Sequence, residues 1–245
     1  MTLKECMFLE NECYKNGTKI IGKPNGIVVH STGCNNKYLQ RYVQPIVGQK
    51  DYDAIIDDIG KNAYNNDWNR SAEEMGKYSC VHAFIGCNVK GDVETYQVLP
   101  YDICCWGCGS GDKGSYNYNP QARIQFEICE DDLTDEKYFN KAMKEAIEYC
   151  AYLCRKFNIN LNNICSHYEA AKAGYAVQHI DPEHWLNKFG KDMVWFRSEV
   201  QKIISVPQDS PIYRVQVGAF RNKTYAEAML NKLKSYGIDG FIVQV

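Results

Sequence analysis

The sequence lacks a strong charge imbalance, a long hydrophobic run and a recognisable export signal. Its 245 residues carry 28 lysine and arginine against 30 aspartate and glutamate, so the formal net charge of -2 offers no attraction to nucleic acid or an anionic membrane. No apolar stretch is long enough to span a bilayer. The N-terminus lacks the basic start and unbroken hydrophobic core of a signal peptide, so we expect synthesis in the cytoplasm. The expected partners therefore include neither nucleic acid nor a membrane span.

The 12 cysteines lack the spacing of a zinc ribbon. Cys105 and Cys108 form one Cys-x-x-Cys pair, but no second pair at ribbon spacing follows. In a chain of this length without a secretion signal, we expect reduced thiols rather than a disulfide framework. Cys129, Cys150 and Cys154 fall at apolar positions of a strand and a helix, which favours ordinary packing over redox chemistry or structural metal binding.

Apolar periodicity predicts an α/β domain in residues 1–204. Apolar residues at three- and four-residue steps predict helices at 138–157, about 52–65 and about 183–204, where Gly190 could interrupt the last. Short apolar runs predict strands at 26–31, 81–86, 93–99 and 123–129, and the segment 88–92 resembles a hairpin loop. Strands mixed with amphipathic helices imply helices packed on a central sheet.

The composition changes after Ile204. Residues 205–211 form a short linker stiffened by two prolines. Beyond it the pattern predicts a strand at 213–220, a helix at 224–236 and a strand at 240–245, so residues 212–245 form a small βαβ module. Chains of this size rarely fold alone. We therefore expect the module to pack on the first domain or to pair with another copy in a homodimer, rather than to be disordered.

Three scattered residues have the composition of a catalytic zinc site. His30 ends an apolar run, His167 follows a second short apolar stretch, and Asp181 precedes Pro182. Two imidazoles and a carboxylate are typical zinc ligands, and catalytic sites leave a fourth position open for water. The three are too far apart for a small zinc finger, so a folded domain must bring them together. Each one alone is ambiguous, because strand-end histidines are commonly hydrogen-bonded core residues and Asp-Pro commonly forms a turn.

Five segments also occur in an order typical of one known family. They are Gly26-Ile-Val-Val-His-Ser-Thr32, Val81-His-Ala-Phe-Ile85, the hairpin at 91–100, Ile124-Gln-Phe-Glu-Ile128 and the stretch from Ser166-His167 to Asp181-Pro182. Over roughly residues 20–200 the chain resembles the zinc-dependent N-acetylmuramoyl-L-alanine amidases of type 2, which share a fold with peptidoglycan recognition proteins. The resemblance implies a mixed central sheet flanked by helices, with Zn²⁺ as the cofactor.

The resemblance assigns roles to individual residues. The zinc ligands of the family fall on His30, His167 and Asp181, and its catalytic glutamate, in an Ile-Gly-Ile-Glu type strand, falls on Glu127. Strand alternation places Glu127 on the polar face, where it could act as general base; a solvated strand carboxylate is the alternative. His179 stands where these enzymes often carry a lysine that stabilises the oxyanion. An orienting role beside the ligands is the alternative for His179.

The chain departs from the family pattern at two places. Family members often have Trp-His-x-Gly after the hairpin, whereas this chain has Trp106-Gly-Cys-Gly109. The usual Asp-Pro-Gly is Asp181-Pro-Glu183. The missing histidine puts substrate contacts in doubt more than metal binding. A further histidine, His82, matches a common family residue that does not bind zinc.

Three aromatic residues are candidates for substrate contact. Trp106, Tyr116 and Tyr118 lie in or beside the Gly/Ser/Asn-rich stretch at 107–119, which is expected to form a long loop near the site. Their rings could stack on sugar or peptide. Exposed tyrosines are common in loops, so a role without substrate contact is the alternative.

The C-terminal module resembles a sporulation-related (SPOR) repeat. The resemblance rests on Tyr213-Arg-Val-Gln-Val-Gly-Ala-Phe220, the helix after it and Gly237-Ile-Asp-Gly-Phe-Ile-Val-Gln-Val245. Such modules bind the glycan strands of peptidoglycan. This chain has about one βαβ half of such a module, so a dimerisation element is the alternative.

These features predict a hydrolase that cleaves the amide bond between N-acetylmuramic acid and L-alanine, with the stem peptide and glycan strand of peptidoglycan as partners. The absent export signal favours a phage or prophage endolysin that acts on the wall after release, followed by an autolysin exported another way. Two alternatives stay open. One is a non-catalytic peptidoglycan-binding protein, and the other is a zinc peptidase that cleaves within the stem peptide.

Overall fold

A computed structural model describes residues 1–206, 216–238 and 240–243. The chain divides into two compact units, Met1–Val206 and Pro207–Val245. The first unit contains the sheet and the candidate site residues, and the second contains one described helix.

Six strands of the first unit form one mixed sheet. They are β1 (Leu3–Glu5), β2 (Ile27–Ser31), β3 (Ala83–Cys87), β4 (Val93–Gln97), β5 (Ile124–Ile128) and β6 (Ile164–Ser166). The spatial order is β1-β4-β3-β5-β2-β6, in which the β3–β4 hairpin is antiparallel and the other neighbours run parallel. The mixed sheet and the hairpin confirm the expected fold. β1 and β6 were not predicted, because three residues are too few to form an apolar pattern.

The described part of the chain contains eight α-helices, of which the last belongs to the second unit. They are α1 (Glu12–Asn16), α2 (Tyr52–Ile59), α3 (Ala72–Met75), α4 (Glu136–Phe157), α5 (His167–Lys172), α6 (Glu183–Lys188), α7 (Met193–Ile204) and α8 (Lys223–Ser235). The helix α4 confirms the predicted one. It begins where the Asp135 side chain accepts a hydrogen bond from the Tyr138 N–H, and it ends at Asn158, whose left-handed backbone has φ of 50°.

Helices cover both faces of the sheet. On one face α4, α6 and α7 bury a core that includes Phe139 and Trp185. On the other face α2 and the neighbouring loops bury Phe84 and Tyr96. Because both faces are covered, every residue of β2, β3 and β5 is buried. A polar side chain on these strands therefore needs a partner, and Glu127 on β5 is one such side chain.

Two predicted helices differ from the observed ones. The helix predicted to reach about residue 65 ends at Ile59, because Gly60 adopts φ of 83° and breaks the helical path. The helix predicted at 183–204 is divided into α6 and α7, and Gly190, with φ of 65°, lies in the break as expected.

The second unit matches its prediction in part. The helix α8 agrees with the predicted helix at 224–236, and none of its described side chains is buried. The strand predictions fail at 216–220 and 240–243, which have no strand structure. The remaining strand residues 213–215 and 244–245, and the linker residues 207–211, lie outside the described residues.

The 12 cysteines all lie within the first unit and are free thiols. Ten are buried, including Cys129, Cys150 and Cys154, which agrees with their predicted packing role. No helix in the described part of the chain is long and apolar enough to cross a membrane.

Candidate metal centre

Three elements of the first unit bring the predicted ligands together. His30 lies on β2, His167 begins α5 directly after β6, and Asp181 lies two residues before α6. The strands β2 and β6 are parallel neighbours, with Val29 paired to Ser166, so both histidines lie at the carboxyl edge of the sheet. That edge is where α/β sheets commonly bind ligands.

The ligand atoms form a compact triangle. His30 Nδ1 lies 3.1 Å from His167 Nδ1 and 3.2 Å from Asp181 Oδ2, and His167 Nδ1 lies 3.2 Å from Asp181 Oδ1. All three side chains are buried. Donor atoms about 2.0–2.1 Å from a tetrahedral zinc ion are about 3.3–3.4 Å from one another, so the triangle fits a four-coordinate ion with one position left over. Among the described residues, these three side chains form a group that could hold a metal ion.

The Asp181 carboxylate has the largest influence on the charge of the three candidate ligands. Burial acts to raise the pKa of Asp181, but hydrogen bonds from His167, His179 and His30 outweigh it and hold the pKa well below its usual range. Burial acts to lower the pKa of His30, but the hydrogen bond and charge of Asp181 raise it overall. Burial lowers the pKa of His167. The group therefore contains a fixed negative charge that favours a cation, and at least one imidazole that is readily neutral.

Glu127 lies beside the ligands on β5. Its side chain is buried, and its Oε2 has no hydrogen-bond partner among the described residues. Burial raises the pKa of Glu127 to about 7, although the positive charge of His30 acts against the shift. A carboxyl group with a pKa near neutrality can both accept and release a proton at physiological pH.

His179 contacts the ligands from the solvent side. Its Nδ1 contacts the Asp181 carboxylate, and its ring stacks on His167 with centroids 4.9 Å apart. About half of its side chain is exposed. The hydrogen bond to Asp181 raises the pKa of His179, and burial acts against it. This placement suits an orienting role and leaves Nε2 for another contact.

The three candidate aromatic residues have different surroundings. Tyr116 is buried, with its ring stacked on Tyr175 at 4.8 Å and the Arg123 guanidinium carbon 3.7 Å from its ring centre. Such an enclosed ring is a packing residue rather than a surface for stacking substrate. Tyr118 is 46% exposed, and Trp106 is partly buried next to the exposed Tyr78.

Two polar residues that the sequence did not single out support the ligands. Gln125 Oε1 lies 2.9 Å from His30 Nε2, and Gln125 Nε2 donates to Asn117 Oδ1 over 2.8 Å. In the sequence, Gln125 could have been noticed only because it lies on the same strand face as Glu127, and nothing marked Asn117.

His82 is not a ligand, since its Nε2 lies 3.0 Å from the Ile103 carbonyl and its Nδ1 accepts the Gln125 backbone N–H.

Glu130 is a third supporting residue that was missed. This buried carboxylate accepts from the Ser31 hydroxyl and the Gly33 N–H, and lies 3.0 Å from His184 Nε2. The Ser31 N–H donates to Asp181 Oδ2 over 3.3 Å. His184 therefore links α6 to the end of β2 through Glu130.

Comparison with known sequences identifies two families along the chain. The family described as N-acetylmuramoyl-L-alanine amidase matches residues 21–184, and the SPOR domain family matches residues 196–245. Protein Ami of Listeria monocytogenes is 24% identical over 248 residues, which cover 91% of this chain. The chain spans 22% of the length of that curated relative.

Three solved structures have a similar fold. The Staphylococcus aureus hydrolase AmiA in complex with its ligand has a TM-score of 0.52 at 19% identity and covers 83% of each chain. The catalytic domain of PlyG has a TM-score of 0.52 at 19% identity, covering 86% of this chain and 100% of its own. The catalytic domain of XlyA has a TM-score of 0.50 at 20% identity, covering 82% of this chain and 99% of its own. At these identities the likeness establishes the shared fold.

Proposed function

Because the chain belongs to the N-acetylmuramoyl-L-alanine amidase family, we propose that it hydrolyses the amide bond between N-acetylmuramic acid and L-alanine in bacterial peptidoglycan. The observation that carries the proposal is the convergence of His30, His167 and Asp181 beside the buried carboxyl group of Glu127. A site with only a binding role would need neither this ligand set nor a carboxyl group with a pKa of about 7.

The cofactor in this proposal is Zn²⁺. His30 Nδ1, His167 Nδ1 and an oxygen of Asp181 would hold it, because two imidazoles and a carboxylate form a typical catalytic zinc set and their spacing fits. When bound, the zinc would polarise the substrate carbonyl and make water acidic enough to attack at neutral pH. The buried position of all three ligands limits competition from bulk water.

Glu127 would move the proton of the reaction. Its unpartnered Oε2 can accept a proton from the attacking water and later deliver it to the amine of the departing L-alanine. In the metal-free site burial raises the pKa of Glu127 to about 7, so the surroundings of this carboxyl group favour its taking up a proton.

His179 would donate a hydrogen bond from Nε2 to the developing oxyanion. With Nδ1 held on Asp181, Nε2 carries a proton when the ring is charged. The hydrogen bond to Asp181 raises the pKa of His179 and so extends the pH range in which the ring is charged. Preorganised donors of this kind stabilise the tetrahedral intermediate of acyl transfer.

The rest of the chain would supply substrate binding. In this proposal residues 1–204 are the catalytic domain, 205–211 a linker and 212–245 a SPOR-like module that binds glycan or pairs two copies of the chain. The partly buried Trp106 and the exposed Tyr118 remain candidates for contact with sugar or stem peptide. The biological role would be lysis of the cell wall by an endolysin or autolysin.

Mass spectrometry of purified peptidoglycan digested with the protein tests this function. We expect peptide-free glycan and stem peptides with free L-alanine amino termini. New termini inside the stem peptide would identify a zinc peptidase instead. If the zinc-loaded protein binds the sacculus but releases no peptidoglycan fragment, it is a non-catalytic binding protein.

A further inference from the structure

A fully buried glutamine lies directly behind the first candidate ligand. Gln125 is on β5 two residues before Glu127, so both side chains project from the same face of the sheet. Its side chain is 0% exposed and contacts His30 Nε2 at 2.9 Å and Asn117 Oδ1 at 2.8 Å. A buried amide with two defined partners holds a single orientation.

The hydrogen-bond network fixes which atom of each group donates. The backbone N–H of Cys108 can only donate, and it reaches Asn117 over 3.1 Å, so the Asn117 atom there must be the oxygen. The Gln125 atom that contacts this oxygen must therefore be its NH₂ group. The remaining Gln125 atom is then Oε1, which accepts, and His30 Nε2 must carry the proton that it accepts.

We propose that Gln125 is a positioning residue for the metal ion: it keeps the proton of neutral His30 on Nε2, so that Nδ1 can give its lone pair to an ion held together with His167 and Asp181. The inference builds on the zinc site of the proposed function. The reason is chemical: a neutral imidazole has one lone pair, and the hydrogen bond made by one nitrogen decides whether the other is available to a metal. Asn117 and the Cys108 backbone act through Gln125.

Gly107 provides the space that this arrangement requires. A Cβ atom at residue 107 would lie 2.6 Å from Gln125 Oε1 and 3.0 Å from Val81 Cγ1. A side chain at 107 and the amide of Gln125 therefore exclude each other. Residue 107 is where the family often carries histidine, and residue 125 is where an Ile-Gly-Ile-Glu strand has glycine. The glycine at 107 and the glutamine at 125 are thus coupled through one volume beside His30.

Zinc affinity of the full chain, measured by competition with a chromophoric chelator, tests the proposal. Gln125→Met keeps the side-chain length and removes both hydrogen bonds, and we expect affinity to fall about tenfold to a hundredfold. Gln97→Met is the matched control, because Gln97 is a buried glutamine on β4, separated from β5 by β3, and donates to the Leu99 carbonyl. The control should bind zinc like the wild type. Unchanged affinity in Gln125→Met, or an equal loss in both variants, would overturn the proposal.

A double-mutant cycle tests the coupling with Gly107. Gly107→Ala should weaken zinc binding in the wild-type chain, because its Cβ displaces the Gln125 amide. In a Gln125→Ala background the same change should cause no further loss, since there is no amide left to displace. If the two substitutions lower zinc affinity by factors that simply multiply in the double variant, the proposed coupling is wrong.

Nitrogen-15 NMR of the imidazoles gives a readout that a purely structural role would not change. In metal-free protein at alkaline pH, we expect His30 to be protonated on Nε2 in the wild type and to show a mixture of tautomers in Gln125→Met. The same tautomer in both proteins would refute the role of Gln125. A wild-type protein that binds no zinc at all would instead refute the metal site of the proposed function.

Discussion

His30 on β2 and Glu127 on β5 are direct partners in the register of two neighbouring parallel strands. Paired residues of adjacent strands project from the same face and lie about 5 Å apart. The candidate ligand and the candidate base are therefore set side by side by backbone hydrogen bonding rather than by flexible side chains. A rigid arrangement of this kind is what an active site needs to hold reacting groups in place.

The first prediction concerns Glu127. Glu127→Gln removes the proton acceptor but none of the proposed ligands, so release of L-alanine peptides should fall roughly a hundredfold to ten-thousandfold while zinc binding is retained. Peptide release and zinc content are both measured on the purified chain. Glu136→Gln, an exposed residue at the start of α4, is the control and should retain full activity. A fully active Glu127→Gln protein with zinc bound would exclude Glu127 as the base.

The second prediction concerns the metal. Dialysis against a strong chelator should abolish hydrolysis, and one equivalent of zinc should restore it. In Asp181→Asn the restoration should require a much higher zinc concentration, because the fixed negative charge of the site is lost. Activity that persists in verified metal-free protein would contradict the proposed chemistry.

The third prediction concerns Glu130. Glu130→Ala leaves the Ser31 hydroxyl, the Gly33 N–H and His184 without their buried acceptor, so we expect the free energy of unfolding to fall by about 2–3 kcal/mol. Activity should fall as well, since Ser31 also donates to Asp181. Urea unfolding measures the first effect. Glu130→Gln, which keeps an acceptor oxygen, should recover part of both losses, and no recovery would argue against the hydrogen-bonding role.

The fourth prediction is a pH dependence of stability caused by His82. Burial lowers the pKa of this residue from 6.5 to about 4 in the folded protein. Between these values the unfolded chain binds a proton that the folded chain does not, so stability is lost as the pH falls from about 6.5 to about 4. The loss approaches about 1.4 kcal/mol per pH unit and totals roughly 3 kcal/mol. Urea unfolding at several pH values should give a shallower slope for His82→Gln than for the wild type, and equal slopes would contradict the assignment.

The fifth prediction concerns the second unit. Large side chains at Tyr236, Ile238 and Phe241 are exposed, and we expect them to contribute to binding by this unit. The inactive Glu127→Gln chain should sediment with purified peptidoglycan, and adding Phe241→Ser should reduce the bound fraction several-fold. If both proteins sediment equally and light scattering shows a Phe241-dependent dimer, the module pairs chains rather than binding glycan.

The sequence predicted the parts of the fold that repeat locally. The apolar stripe of α4, the β3–β4 hairpin and the break at Gly190 each follow from patterns within about 20 residues, and each agrees with the structure. The strands β1 and β6 were missed because they are three residues long and gain their stability from neighbouring strands.

The supporting residues of the site were not predictable in the same way. Gln125 contacts a histidine 95 residues away, and Glu130 contacts a serine 99 residues away. No local pattern encodes such contacts. Tyr116 was expected to be accessible because of its Gly/Ser/Asn-rich surroundings, but packing against Tyr175 and Arg123 encloses it.

The metal centre can be located by anomalous X-ray scattering at the zinc absorption edge, from crystals of the full chain grown with zinc. We expect one strong peak in the first unit, bonded to His30 Nδ1, His167 Nδ1 and a carboxylate oxygen of Asp181. A peak bonded to other residues, or a zinc-free site with these three side chains turned away from one another, would contradict this expectation.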